Sequence, residues 1–373
     1  MKRTLLRLAI IAGAVLIMSS SSCLDPNNGK EPEIPLTTIG TYILNSGNFG
    51  SNDANFTAYN PYTKELNYNI FERSNEGRKL GDTAQDMIAF GSKIYIAVYN
   101  SGVIFVTDLD GKVIKEIKTK AKGSAANLSP RFFTTWEDCV YVTFYEGYAG
   151  KIDTTSLTVS ALAKVGDNPE QIKIAGEKLY VANSGGMNYP NYGKTLSVLN
   201  PVTMDVMSEV KVSDNPVYLE SDSRGNLYVI SMGNYNDVPS CLQVVNPNDD
   251  SVQKLELEGI TPTFIAKGPG NALYLVSSSY DANWNLIADY YIFDTNKKEI
   301  YGKLIKDGTR VENPYSLSAD TLLTLIYIGT SDYVTNGQMY VIDAFGQMYH
   351  AFDTGGLNPI TACPVTAGGQ KDK

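Results

Sequence analysis

Seven tyrosines constrain this chain more than any other feature: Tyr42, Tyr95, Tyr141, Tyr180, Tyr228, Tyr274 and Tyr327. Each sits in a short strand-like run: TYILN, IYIAV, VYVTF, LYVAN, LYVIS, LYLVS and IYIGT. Successive tyrosines lie roughly 40 to 53 residues apart, the length of one propeller blade. A repeat of that period, written in strands alone, points to an array of similar sheets.

The unit itself holds four strand-like runs. Residues 168–212 read NPEQIKIAG, EKLYVAN, a loop, KTLSVLN and PVTMDVMSEVKV, and residues 215–257 follow the same plan. Each unit opens on a proline or a substitute: Ala84, Pro130, Pro169, Pro216, Pro262, Pro314 and Pro359. Proline lacks the N–H that a strand interior needs, so it suits a strand's first residue. Each third run ends in Asn or Asp: Asn60, Asp108, Asp153, Asn200, Asn246, Asp294 and Asp343. Such side chains cap tight turns by accepting nearby backbone N–H groups.

The repeats are out of phase with the chain ends. The first run is a second strand, TYILN, and the last is an opening strand, NPITACPV. Pairing them closes a ring and removes two open sheet edges. The expected fold is therefore all-β: a seven-bladed β-propeller over residues 39–366, with four-stranded blades. The strand at 359–365 would complete the blade built from residues 40–70. Two separate β-sandwiches would explain neither the single period nor the phase shift.

Before the repeat, Lys2, Arg3 and Arg7 precede an apolar run from Leu8 to Met18, four serines and Cys23. The run is too short for a lasting span. The series fits a lipoprotein signal over residues 1–22, cleaved before a diacylated Cys23. An ordinary secretory signal is the alternative. Polar, proline-rich residues 23–38 read as a lipidated tether and 367–373 as a flexible tail. Loss of residues 1–22 moves the formal net charge from −9 to about −12. That balance argues against nucleic acid as a partner, since such binding needs basic stripes. Cys139, Cys241 and Cys363 show no CxxC spacing and read as buried small side chains.

In a propeller, second-to-third and fourth-to-first connections share one face. Here they are long and unequal: 45–56, 71–85, 122–131, 183–193, 231–240, 277–289 and 330–337, with shorter members at 98–102 and 144–150. They are rich in Tyr, Asn, Gly and Ser, a mix that suits adaptable binding loops. The candidate ligand-binding residues in these loops are Phe49, Tyr99, Asn100, Tyr145, Tyr148, Met187, Asn188, Tyr189, Tyr192, Asn234, Tyr235, Tyr280, Trp284 and Tyr333. Gln85, Arg131, Glu170 and Tyr315, each next to a blade opener, would line the channel mouth. The seven repeated tyrosines read as core.

Catalytic motifs are scarce. The one histidine, His350, falls in an outer strand of the final blade and argues against His-ligated metal and Ser-His-Asp chemistry. No phosphate-binding loop or HExxH stretch occurs, and no catalytic residue is assigned. The unit NP-x-x-I, LYVAN, SVLN resembles the YncE-like, surface-layer-type propellers from about residue 40 to 365. With its lipoprotein start, the chain is similar to the cobalamin-binding surface lipoproteins of the BtuG type. That resemblance implies an outer-membrane, lipid-anchored protein exposed on the cell surface. It would capture cobalamin (vitamin B12) or a related corrinoid without a required cofactor. It would then pass the ligand to a TonB-dependent outer-membrane transporter of the BtuB type. Glycan binding by the same aromatic loops and a protein-interaction scaffold are the other two readings open to the sequence.

Overall fold

The computed structural model describes residues 35–367. The expected signal peptide, Cys23, most of the tether and the tail from residue 368 lie outside the described residues. Seven four-stranded antiparallel sheets make a seven-bladed β-propeller. Blade 1 combines residues 37–67 with 359–367. Blades 2 to 7 span 84–117, 130–164, 169–211, 216–255, 262–303 and 314–353. The innermost strands touch in a closed cycle around one axis.

Ring closure follows the phase of the sequence. Pro359–Ala367 is the innermost strand of blade 1 and pairs with Thr37–Asn45, from Thr37 against Ala367 to Asn45 against Pro359. The propeller thus starts two residues before the expected boundary at 39 and ends one residue after 366.

Every blade opener is the first residue of its innermost strand. A register shift follows each one, so the strand entry is bulged in all seven blades. In five blades the residue before the opener has positive φ: Thr83, Asn168, Asn215, Asn313 and Asn358. Asparagine tolerates that left-handed backbone better than most residues, which explains the recurring Asn-Pro corner.

At the opposite end, the Asn and Asp side chains cap their turns as expected. Asp108 Oδ1 accepts the N–H groups of Asp110 (3.0 Å) and Lys112 (2.8 Å). Asn60, Asp153, Asn200, Asn246, Asp294 and Asp343 do the same for their own turns.

The repeated tyrosines sit between blades. Six are almost fully buried, and Tyr42 is half-buried. Several pin the next blade's turn by a phenol hydroxyl. Tyr141 donates to Pro201 O (2.8 Å), Tyr180 to Asp250 Oδ1 (2.9 Å) and Tyr228 to Thr295 O (3.3 Å), while Tyr42 donates to Leu109 O. Seven apolar clusters fill the seven inter-blade seams. Fully burying one large apolar side chain contributes about 1.5–3 kcal/mol, so these seams carry most of the ring's cohesion. Cys363 is buried in the seam between blades 1 and 2, Cys241 is buried, Cys139 is half-buried, and all three are free.

Three segments differ from expectation. Residues 277–289 are not one long loop but the end of a hairpin. Ala272–Tyr280 pairs residue for residue with Leu286–Asp294, and Asp281 caps the turn through the N–H groups of Asn283 and Asn285. Tyr148 is the first residue of a strand, Tyr148–Asp153, because Phe144 and Lys164 pair with it on either side. The connection 71–85 overlaps a short helix, Ile70–Ser74, whose Ile70 and Phe71 are buried against blade 2.

Candidate functional site

Adjacent strands run antiparallel, so the long connections leave every sheet at one end. The innermost strands begin at that same end, and residues beside the openers ring the mouth of the channel. There Arg131 and Glu170 meet. The Arg131 guanidinium binds the Glu170 carboxylate through Nη2 and through Nε, the latter at 3.1 Å. Both side chains are largely out of water. Removing two charges from solvent costs several kcal/mol per ion, which mutual attraction and hydrogen bonds must offset. Burial pushes the Glu170 carboxyl upward, and Arg131 opposes that rise. Thr143 adds support by donating to Glu170 O (2.8 Å) while accepting from Phe132 N–H.

Aromatic rings surround this pair. The guanidinium carbon lies 4.7 Å from the Tyr145 ring centre, 5.3 Å from Tyr99 and 5.5 Å from Phe132. Such contacts contribute about 0.5–2 kcal/mol each as water is excluded. Tyr99 and Tyr145 meet edge-on at 5.6 Å. Burial pushes the Tyr145 hydroxyl up to about 12 and also raises Tyr99. Gly186 lies so close that a Cβ there would stand 2.9 Å from the Tyr145 hydroxyl. A larger residue there would push the Tyr145 ring aside, whereas Gly185 and Gly193 are required, since a Cβ at either would meet backbone atoms at 2.5 Å or less.

A second run of rings crosses from blade 4 to blade 5. Tyr189, Tyr192 and Tyr235 pack edge-on at 6.1 and 5.8 Å. The Tyr235 hydroxyl stands 3.5 Å from Asn215 Nδ2. On blade 7, Tyr315 and Tyr333 pack at 5.7 Å. Burial raises the Tyr315 hydroxyl to about 12, and the nearby Tyr333 and Arg131 also bear on it. Tyr218, half-buried, lines a channel cavity together with Phe132 and Tyr315, and burial pushes its hydroxyl upward. That cavity, with Phe132 beside Arg131 on blade 3, Tyr218 on blade 5 and Tyr315 beside Tyr333 on blade 7, brings the rings into one neighbourhood around the axis.

The Asn-Pro corners hold the loops in place. Asn168 donates to Tyr145 O (3.3 Å) and accepts from Met187 N–H (3.1 Å). Asn358 donates to Gly47 O (2.9 Å) and to Asn48 Oδ1 (3.0 Å). Loops fixed before binding lower the ordering cost of a ligand.

Of the sequence-predicted residues, Tyr99, Arg131, Tyr145, Glu170, Tyr192, Tyr235, Tyr315 and Tyr333 come together in this neighbourhood, with Tyr189 at its rim. Gln85 lines the channel just below. Met187 is exposed beside the Tyr145 wall, and Asn188 reaches toward Asp167 (3.4 Å). Asn100 donates to Asp82 Oδ2 (2.6 Å). Asn234 serves its own turn, accepting from Asn236 and Val238 N–H and donating to Asp237. Phe49 is exposed on a loop anchored to blade 7 by Asn48, whose Nδ2 donates to Tyr333 O. Tyr148 instead packs under Lys164 Nζ (4.6 Å). Tyr280 and Trp284 pair with each other at 6.1 Å on the blade 6 hairpin.

Sequence reasoning missed a second set. A cavity of about 80 Å³ in the channel is lined by Asp86, Phe132, Gln171, Tyr218 and Phe264 as well as Gln85 and Tyr315. Most of these residues stand two places after a blade opener. Asp86 accepts Phe133 N–H (2.8 Å) and Gln171 accepts Leu219 N–H (2.7 Å), so each ties its blade to the next. The signal was the opener itself. An innermost strand is a sheet edge, and both of its faces border the channel.

No curated protein matches the chain. Among solved structures it is similar to Kuenenia stuttgartiensis hydrazine synthase, at 17% identity and TM-score 0.58, over 73% of this chain and 86% of that one. It is also similar to a provisionally named 6-phosphogluconolactonase from Bacteroides fragilis NCTC 9343, at 13% identity and TM-score 0.60, over 88% and 98%. A third is dihydro-heme d1 dehydrogenase NirN in complex with DHE, at 11% identity and TM-score 0.54, over 86% and 68%. At such identities the likeness is one of fold. Residues 39–344 match the family described as "Domain of unknown function (DUF5074)", and the chain belongs to that family.

Proposed function

We propose that this propeller is a lipid-anchored outer-membrane protein, exposed on the cell surface, that captures cobalamin or a related corrinoid. On this reading it binds without catalysis and passes the ligand to a TonB-dependent transporter of the BtuB type. The observation that carries the reading is the aromatic neighbourhood around Arg131 and Glu170. It offers phenol faces and hydroxyls, corner amides and an ion pair that cancels its own charge. Cobalamin is a broad ring with amide arms and little net charge, which matches a wide, neutral, hydrogen-bonding surface. Tyrosine supplies rigid contact area at low entropy cost. Phenols are donors near neutral pH, and burial moves the Tyr145 and Tyr315 hydroxyls still further from ionisation.

Calorimetric titration of the mature protein with cyanocobalamin tests the reading. A nanomolar complex, worth about −12 kcal/mol, is expected. Tyr145→Ala and Tyr235→Ala should each weaken it by about tenfold or more. No heat and no absorbance change at micromolar ligand would end the proposal, and a positive glycan array would then favour sugar stacking on the same rings.

A further inference from the structure

Blade 6 departs from its neighbours in one hairpin. Its second and third strands, Ala272–Tyr280 and Leu286–Asp294, have nine residues each. The corresponding strands of blades 2 to 5 and 7 have five or six. The outermost strand, Glu299–Lys303, pairs only with Tyr291–Asp294. Beyond it, Leu304 N–H reaches Tyr290 O (2.9 Å) and the ladder stops. The outer edge of residues 286–289 is bare.

The direction of its backbone groups follows from the pairing. Ser278 stands opposite Ala288, yet its N–H bonds inward to Thr261 O (3.1 Å). In an antiparallel ladder such a pair does not exchange hydrogen bonds, so Ala288 turns its N–H and C=O outward. Tyr290, two places on, already does so. The period of two extends the pattern to Leu286. Among the described residues, none bonds the outward groups of Leu286 or Ala288. Proteins blunt such edges with charge, proline or bulges. The near charge here, Asp289, is engaged by Lys303 at 2.7 Å.

The bare edge forms one wall of a groove of about 380 Å³. Ile305, Thr309, Arg310, Val311 and the exposed Glu312 line the other side. Arg310 is exposed and has no ion-pair partner among the described residues. The aromatic tip, Tyr280 with Trp284, stands at the end of the same hairpin.

We propose that this edge takes an extended peptide segment of a partner protein as a fifth strand of blade 6. Unpaired N–H and C=O groups two residues apart are matched by another main chain. Arg310 asks for a carboxylate on that segment, Glu312 two places on for a basic side chain, and the tip rings for an apolar one. The site is on blade 6 alone and does not rest on the cobalamin reading.

A random linear peptide library displayed on phage, selected against the mature protein, supplies the probe. The enriched peptide is then synthesised and its binding followed by fluorescence anisotropy. Expected is a peptide carrying Asp or Glu at a fixed place, whose binding protects the amides of Leu286 and Ala288 from hydrogen exchange. Ala288→Pro removes one outward N–H, a change a strand edge tolerates when that group faces solvent. It should weaken binding about tenfold, as should Arg310→Glu. Cyanocobalamin titration of Ala288→Pro should match the parent. Should Ala288→Pro lower the melting temperature, N-methylation of alternate peptide amides makes the same test on the parent protein: one phase weakens binding and the other does not. Failure to enrich any peptide, equal binding by Ala288→Pro and by both methylated peptides, or sedimentation showing that the edge pairs two copies of this chain, overturns the proposal.

Discussion

At the turn end of the ring, Asp108, Asp153 and Asp294 direct their oxygens to N–H groups of their own turns. At the loop end, Tyr189 is 70% exposed and Tyr235 is 68% exposed, while Tyr141 between the blades is 0% exposed. The same residue type therefore does two kinds of work. Between blades the tyrosine ring fills a seam and its hydroxyl holds the next blade. Above the channel the rings pack mainly on each other. The difference teaches where substitution should break the fold and where it should alter only the surface.

The largest effect belongs to the seam that joins the chain ends. Ending the chain after Asn358 removes the innermost strand of blade 1, including buried Ala362, Cys363 and Val365. It also bares the edge of Thr37–Asn45. Loss of cooperative unfolding by circular dichroism is expected, with aggregation through the open edge. A shortened chain that melts as sharply as the parent would show that the ring does not depend on closure.

Next comes the tyrosine contrast. Tyr141→Ala opens a cavity and leaves Pro201 O with only Lys151 Nζ (3.2 Å) as donor, a loss of about 3–5 kcal/mol in urea unfolding. Tyr189→Ala should stay within about 0.5 kcal/mol of the parent. Equal losses at the two sites would erase the distinction between seam and surface.

The channel between the two ends gives a smaller, pH-dependent signal. Burial pushes Asp86 from 3.8 up to about 7, while the N–H groups of Phe133 and Met87 pull it back. Folded, the carboxyl holds its proton more tightly than it does unfolded. Stability is therefore greatest below the unfolded value and falls as pH rises through the window from 3.8 to about 7. Above that window this contribution is constant. Asp86→Asn should flatten the profile across the window, where the parent changes by up to a few kcal/mol. Its absolute stability is a poorer guide, since an amide oxygen cannot serve both N–H groups as a carboxylate does. Superimposable pH profiles for the two proteins would remove Asp86 from the account.

The ring was legible in the sequence because each blade repeats local demands that one residue type meets. Pro169 and Pro216 need no N–H at a strand entry, Asn200 and Asp343 cap turns, and Tyr180 and Tyr228 fill seams. The channel mouth was half legible. Residues next to the openers, such as Arg131 and Tyr315, were visible as a position in the repeat. Asp86, Gln171 and Tyr218 were not, because strand alternation assigns neighbouring residues to opposite faces and only the three-dimensional edge brings both faces to the channel. The pairing of Arg131 with Glu170 joins different blades and leaves no trace in local spacing. The blade 6 hairpin was hidden for another reason. Its Ser, Asn and Asp content reads as loop, but cross-strand pairing from Ser277 against Asp289 to Tyr280 against Leu286 overrides that preference.

Blade 2 offers the finest probe, at the one opener that is not proline. Ala84 N–H donates to Ser46 O (3.1 Å), joining the blade 2 entry to the blade 1 loop. No proline could make that bond. Ser46 is buried, so its carbonyl would lose a protein donor where water is scarce. Were the repeat pattern the only constraint, Ala84→Pro would stabilise the protein by about 0.4–1 kcal/mol through a stiffer unfolded chain. The lost hydrogen bond and the orphaned carbonyl cost about 1–3 kcal/mol. The second term is the larger, so Ala84→Pro should lower the urea midpoint by the equivalent of about 1 kcal/mol. A rise in the midpoint would mean that the Ser46 contact contributes little and that alanine stands at this opener for some reason outside the blade 1 seam.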